Sequence, residues 1–301
     1  MNLPNALIGG TNKAGTTSVF RYLSDHPDVC GSNIKETGFF TKKFTGNISE
    51  DKASLSRHFS HYSSESILLE ASTSYLALGR QVVPRINQVI GEPRILFILR
   101  NPVDRIYSYF NFQSGNLAIP KEVSFLDYLE LCKRYESRII DAGHLSFDVR
   151  HLEALQNGKY DGLLRFYTEN YSSEKFKIMF FDDLKSDPRG FMTEVSSFFD
   201  IDPAFYNGYR FNKSNVTFSS VNTIVHRLAV FINRQCEPFF RQKPKMKAVL
   251  VNFYKHINMK KNGPVEMDEK ARLYLIEYYS DSITGVQEIV GGSLPDSWLE
   301  L

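Results

Sequence analysis

Residues 9–18 read GGTNKAGTTS, from Gly9 to Ser18, and they directly follow Ala6, Leu7 and Ile8, a short apolar run. The run reads as a buried strand. Residues 17–24 carry Val19, Phe20 and Leu23 at helical spacing. A strand, a glycine loop and a helix start converge backbone N–H groups and a helix dipole on one point, which is an anion site. The loop of nucleoside triphosphatases is spelled G-x-x-x-x-G-K-[ST]. Gly10 and Gly15 keep that spacing and Thr17 stands at the hydroxyl position, but Thr16 takes the place of the lysine. The lysine lies inside the loop instead, at Lys13. Lys13, Ala14, Gly15, Thr16, Thr17 and Ser18 are therefore the expected phosphate cradle. The competing reading is a helix merely capped by threonine, with Lys13 solvated.

Working outward, apolar runs at 67–69, 95–99 and 178–181 read as further strands. Helical stripes fall at 82–90, 106–110, 125–132, 191–199, 221–232 and 268–280. Strands alternating with helices make a parallel sheet covered on both faces. The expected fold is α/β, a P-loop-like parallel sheet flanked by helices, in a single domain 1–301. Residues 239–262 are lysine-rich without clear periodicity, so a lid or surface excursion is expected around 211–262.

Composition sets bounds on function. The 301 residues are 42% hydrophobic and 23% charged, with a formal net charge of only +2. No polyanion-wrapping surface is implied, so nucleic acid is not an expected partner. Cys30, Cys132 and Cys236 are far apart and odd in number, which suits neither a metal site nor a disulfide framework. No basic, then apolar, leader segment opens the sequence. The longest apolar runs, such as 95–99, are too short to cross a bilayer. The expected setting is cytoplasmic, without an integral membrane segment, unless an anchor belongs to a longer chain.

The strand at 95–99 ends in Arg100, and ligands of open parallel sheets lie at such strand ends. Asn101, Pro102 and Asp104 then make a helix start, with Ser108 about two turns in. Arg100 as a fork and Ser108 as a short donor can hold a second phosphate. Arg100 as a structural ion-pair partner is the competing reading. A nucleotide bearing phosphates on its 5′ and 3′ sides would use both sites.

Together these stretches resemble the sulfotransferases that use 3′-phosphoadenosine 5′-phosphosulfate (PAPS). In that family the lysine lies inside the first loop, as in Lys13-Ala-Gly-Thr-Thr-Ser18, and the strand ending in arginine is followed by a serine eight residues on, as in Arg100 and Ser108. His26-Pro27, then Lys35-Glu36-Thr-Gly-Phe39-Phe40, is similar to the heparan-sulfate branch and its bacterial relatives. The resemblance also covers Asp182-Asp183, Asp187-Pro188, Asn212-Lys213-Ser214 and the tail to Trp298. It implies PAPS as co-substrate, adenosine 3′,5′-bisphosphate as product and no metal. It implies catalysis by Lys13 at the leaving group and by Glu36 as general base. Asn212 and Lys213 would begin the loop that closes over the cofactor.

Several expectations remain open at this level. His58 or His61 can replace Glu36 as base, and Glu36 can instead be a surface ion pair. Phe39, Phe40, Tyr75 and Phe112 are candidates to line the acceptor pocket, with Glu36 at its edge. Many relatives carry a lysine after the second-strand glutamate, where this chain has Glu70-Ala71, so Lys13 acts alone or Lys35 compensates. The acceptor is expected to be a small metabolite or saccharide hydroxyl, or an amine. A nucleotide kinase and a non-catalytic nucleotide-binding module are the alternative functions.

Overall fold

The computed structural model describes residues 1–140, 145–212, 218–220, 223–236, 244–261 and 266–299. Its chain contacts divide into two compact units. The first comprises Met1–Arg105, Asn157–Asn215 and Leu275–Leu301, and the second Ile106–Gln156 and Val216–Tyr274.

The first unit is built on five parallel strands: β1 (Ala6–Gly10), β2 (Val29–Gly31), β3 (Ile67–Ala71), β4 (Arg94–Leu99) and β5 (Phe176–Phe180). Their order is β2-β3-β1-β4-β5, so the loop-bearing strand is central. Ala6 pairs with Leu69 on one side and with Arg94 on the other. All five residues of β1 are buried, as befits a strand covered on both faces. Helices α1 (Thr16–Ser24), α2 (Ile48–Ser56) and α3 (Gly79–Ile90) fall between these strands in the chain. Helix α4 (Pro102–Gly115) begins in this unit and continues into the second.

Helices α5 (Phe125–Glu136), α6 (Tyr160–Asn170), α7 (Phe181–Ser186) and α8 (Pro188–Phe199) follow. The apolar core gathers Ile8, Leu69, Leu96 and Ile98 with Val19 and Leu23 of α1 and Phe191, Val195 and Phe199 of α8. The helix-period residues read from the sequence are thus those that cover the sheet.

In the second unit, Phe110 of α4 packs on Phe125 and Tyr128 of α5 at ring-centroid distances of 5.2 Å each. Strands β6 (Phe218–Ser220) and β7 (Met259–Lys261) pair antiparallel. Between them lie α9 (Thr223–Gln235) and α10 (Pro244–Asn258). Helix α11 (Glu269–Val290) returns to the first unit, where α12 (Asp296–Leu299) ends the described chain.

Three expectations shift. The strand expected at 178–181 is Phe176–Phe180, and Phe181 instead opens α7. The helix expected at 268–280 runs on to Val290, because Ile283 and Val286 extend its buried stripe. Within 239–262, Pro244–Asn258 is helical. Met246, Val249, Leu250, Phe253 and Ile257 do recur at helical spacing there, and the interspersed lysines obscured the period.

The tail is anchored by the chain's only tryptophan. Trp298 is fully buried, meets Phe180 edge-on at 5.3 Å, and donates from Nε1 to Asp182 at 3.4 Å. Trp298→Ala is expected to lower stability by ~3–5 kcal/mol, as large-to-small changes of buried aromatics do. Urea unfolding followed by circular dichroism measures it. A loss under ~1 kcal/mol would show that the tail adds little to the first unit.

Candidate active site

Glycine at position 15 is required twice over. Its φ is +77°, a left-handed conformation that L side chains rarely adopt. A Cβ there would also lie 2.8 Å from Leu184 and 3.0 Å from Phe181. Gly15 is the N-cap of α1 and has no side chain to cap it. Ser18 N–H donates to the Gly15 carbonyl at 2.9 Å, and the N–H groups of Thr16 and Thr17 at the helix start are those an anion can take up. Thr16 is buried, whereas Thr17 and Ser18 are partly exposed beside it. Ala14 is fully buried and serves as packing, so only its backbone is available to a ligand.

Lys13 also adopts a positive φ, 65°. Burial first, and then the charge of Arg100, lower its pKa to about 8. Arg100 follows β4 directly, and its Nη1 donates to the Lys13 carbonyl at 3.2 Å. Its guanidinium lies 5.1 Å from the Phe181 ring centroid, and its own carbonyl accepts from the Tyr160 hydroxyl at 2.9 Å. Burial pulls its pKa down, against the opposing pull of Asp104. Two cations are therefore held together in partly desolvated surroundings, an arrangement that an anion relieves. Arg105, fully buried, supports the same loop by donating to Asn12 Oδ1 at 3.0 Å.

Glu36 reaches the same end of the sheet through a chain of hydrogen bonds. Ser72 N donates to Ile8 O at 3.1 Å and Leu76 N to Gly9 O at 2.8 Å, so the 72–76 turn lies against the end of β1. A Cβ on Gly10 would be 3.1 Å from the Thr73 carbonyl and 2.9 Å from Leu76. Thr73 N donates to Glu36 Oε2 at 3.0 Å, its hydroxyl bonds both carboxylate oxygens at 3.2 and 3.3 Å, and Lys35 Nζ pairs with Oε1. The Glu36 N–H itself donates to Ala71 O at 2.8 Å. The carboxylate is thus fixed beside Gly10 while its side chain remains 45% exposed, open to an acceptor. Ala71 is fully buried, and the cation at Glu36 is supplied by Lys35.

Sequence reasoning missed the role of Glu70. Its side chain is fully buried and accepts from Thr37 Oγ1 at 2.7 Å and Ser72 Oγ at 2.6 Å, and Ser72 Oγ in turn accepts from Gly38 N at 3.0 Å. One carboxyl group thereby ties the residues after Glu36 to the residues before Thr73. Burial raises its pKa, against the pull of the Ser72 and Thr37 hydroxyls. The sequence offered only an acid at the end of an apolar run, followed closely by Ser72, Thr73 and Ser74.

The remaining candidates are placed as follows. Phe39, Phe40 and Tyr75 are buried, with Phe40 packed on Phe39 at 5.2 Å and on Tyr75 at 5.7 Å. These rings pack on one another in the core and present almost no surface. Phe112 lies half exposed on α4, in the second unit, as does Ser108. Asn212 accepts at its carbonyl from Tyr22 Oη at 2.9 Å and from Arg21. Lys213 lies outside the described residues.

His58 Nδ1 lies 2.8 Å from Asn33 Oδ1, and His61 Nε2 lies 3.0 Å from Gly31 O, so both are engaged around edge strand β2. His26 packs on Phe205 at 4.7 Å. Asp182 is occupied by Trp298 and by Lys185. Among the described residues, no group of three or more His, Cys, Asp or Glu could hold a metal ion.

The comparisons with known proteins agree with this geometry. The family model of the sulfotransferase domain matches residues 3–229. Membrane-associated sulfotransferase kil1 of Dictyostelium discoideum is 27% identical over 191 residues, covering 59% of this chain. Bifunctional heparan sulfate N-deacetylase/N-sulfotransferase 2 of Bos taurus is 27% identical over 212 residues, covering 67% of this chain. The matched regions span only 38% and 22% of those two proteins. The crystal structure of a sulfotransferase from Alicyclobacillus acidocaldarius shares the fold, with a TM-score of 0.67 over 99% of both chains at 20% identity. The domain model takes in the phosphate loop, Glu36 and the arginine strand alike, and the chain belongs to the sulfotransferase family.

Proposed function

We propose that the protein transfers a sulfuryl group from PAPS to a hydroxyl or amine of a small metabolite or saccharide. The observation that carries this reading is the position of Glu36. A fixed, solvent-accessible carboxylate is bonded to Thr73, whose own carbonyl lies beside Gly10 at the start of an anion loop with an internal lysine. PAPS supplies the sulfuryl group, and adenosine 3′,5′-bisphosphate is the leaving group. The chain's own residues account for the rest. The loop N–H groups with Thr16, Thr17 and Ser18 take the 5′-phosphate. Lys13 neutralises charge that builds on the departing oxygen, a task for a fixed donor in a dry site. Glu36 accepts the proton of the attacking hydroxyl or amine.

Arg100, with Ser108 eight residues on, is assigned to the 3′-phosphate, and Asn212 and Lys213 to the segment closing over the nucleotide. For Ser108 and Lys213 the support is position in the sequence alone. Residues 1–301 are taken as one functional domain on the same footing.

Thr16 in place of the helix lysine disfavours a kinase, and with Lys13 in the loop a metal has no evident task. The buried Ala71 gives no second-strand cation for an acidic acceptor, which favours a neutral one. The free thiols Cys30, Cys132 and Cys236 suit a reducing, cytoplasmic setting. No described helix is long and apolar enough to cross a membrane.

Glu36→Gln keeps the size of the side chain and removes the basic oxygen. With labelled PAPS and an accepted acceptor, kcat is expected to fall by roughly 10²–10⁴, with bisphosphate affinity nearly unchanged. Turnover within a few-fold of the parent would remove Glu36 from this role.

Lys13 gives a pH signature. Its pKa of about 8 in the free protein should rise when a phosphate arrives beside it. Above that pH the free protein has lost a proton that the complex carries. Affinity for the bisphosphate is therefore expected to fall as pH rises through about 8. Binding at ~pH 9 should take up close to one proton, and binding at ~pH 7 little, as linkage requires. Calorimetry in buffers of different ionisation enthalpy reads this directly. Lys13→Met should abolish the uptake, and equal uptake in the parent and the variant would assign it to another group.

A further inference from the structure

Helices α9 and α10 of the second unit are joined through polar side chains. His226 is buried, with Nδ1 2.5 Å from the Tyr254 hydroxyl and Nε2 2.6 Å from the Gly115 carbonyl. Asn258 is buried and donates to the same hydroxyl at 3.2 Å. Among the described side chains, His226, Tyr254 and Asn258 join the helices, while several apolar ones face outward. On α10, Val249, Leu250, Phe253 and Ile257 are exposed, Val249 at 67% and Phe253 at 65%. At 100° per residue these four fall within one arc of about 100°. On α9, Leu228 is 59% and Ile232 45% exposed, four residues apart on one face. Scattered exposed apolar residues are ordinary, but aligned stripes on two adjacent helices mark an interaction surface.

The charge of the same segment says what it meets. Residues 223–261 contain nine Lys and Arg against the single acid Glu237, a net of +8. The whole chain carries only +2, which leaves −6 for everything else. Most of the basic excess is thus carried by the same stretch of sequence as the exposed apolar stripes. A second copy of this chain would meet the same +8 and repel. A basic helix pair with outward aliphatic and phenyl groups matches the lipid–water interface, where apolar side chains enter the acyl boundary and cations meet anionic headgroups.

We infer that α9 and α10 form a peripheral docking surface for an anionic lipid bilayer, with Val249, Phe253 and Leu228 inserting. The inference does not depend on the proposed chemistry, because none of these residues belongs to the candidate active site.

Flotation of the full chain with vesicles tests it, using phosphatidylcholine alone and phosphatidylcholine mixed with phosphatidylglycerol. The protein should float with the mixed vesicles and not with the neutral ones, and added salt should weaken binding. The double variant Val249→Ser, Phe253→Ser should bind on the order of tenfold or more less tightly. Lys245→Glu with Lys247→Glu should do the same while leaving the apolar stripe intact. Both variants should keep the parent's circular dichroism and its affinity for the bisphosphate. Failure to float with the mixed vesicles would overturn the inference, as would parent-like binding by both variants. A dimer by light scattering that the serine variant dissolves, without vesicle binding, would overturn it in favour of self-association.

Discussion

Two backbone hydrogen bonds hold the candidate site together, Ser72 N–H to Ile8 O and Leu76 N–H to Gly9 O. They lay the turn after β3 against the end of β1, where the phosphate loop starts. Everything that Glu36 can do follows from that contact, because its carboxylate is bonded to Thr73 inside this turn. Gly10 has to be small for the same reason, since a Cβ would press on Leu76 and on the Thr73 carbonyl. Beneath the turn, Glu70 fastens Thr37 and Ser72 to one buried oxygen. Glu36 and the anion loop are therefore positioned by one end of the sheet and not by two independent loops, which favours precise placement.

The electrostatics point the same way. Arg100 lies close enough to lower the Lys13 pKa, and burial lowers the pKa of both groups. Holding two desolvated cations together is unfavourable in the free protein. An anion would relieve that repulsion, which makes the pair a candidate anion site. The internal position of Lys13 matters here, because it places the charge on the loop beside Arg100 and not on the first residue of α1.

Much of this was legible in the sequence. The strand, the glycine spacing and the apolar period of α1 depend on neighbours a few residues apart, and short-range patterns record such dependence directly. Arg100 at a strand end and Lys35-Glu36 ahead of two phenylalanines were legible for the same reason. Glu70 was not, because its meaning lies in contacts with Thr37, across 33 residues. The aromatic candidates illustrate the opposite difficulty. Phe39, Phe40 and Tyr75 stand near the motifs in the chain, yet their rings turn into the core, and residue type does not tell a wall from a lining. In α10 the lysines broke up a helical period that only the exposed face reveals.

The central claim is that Lys13 and Arg100 together define a site for a nucleotide carrying phosphate on both its 5′ and 3′ positions. Calorimetric titration of adenosine 3′,5′-bisphosphate and of AMP, both in EDTA, tests it most directly. A charge-assisted contact of ~1.5–3 kcal/mol from the arginine predicts tighter binding of the bisphosphate by ~10–100-fold, with no metal required. Equal affinity for the two nucleotides, or binding that appears only when Mg²⁺ is restored, would contradict the account.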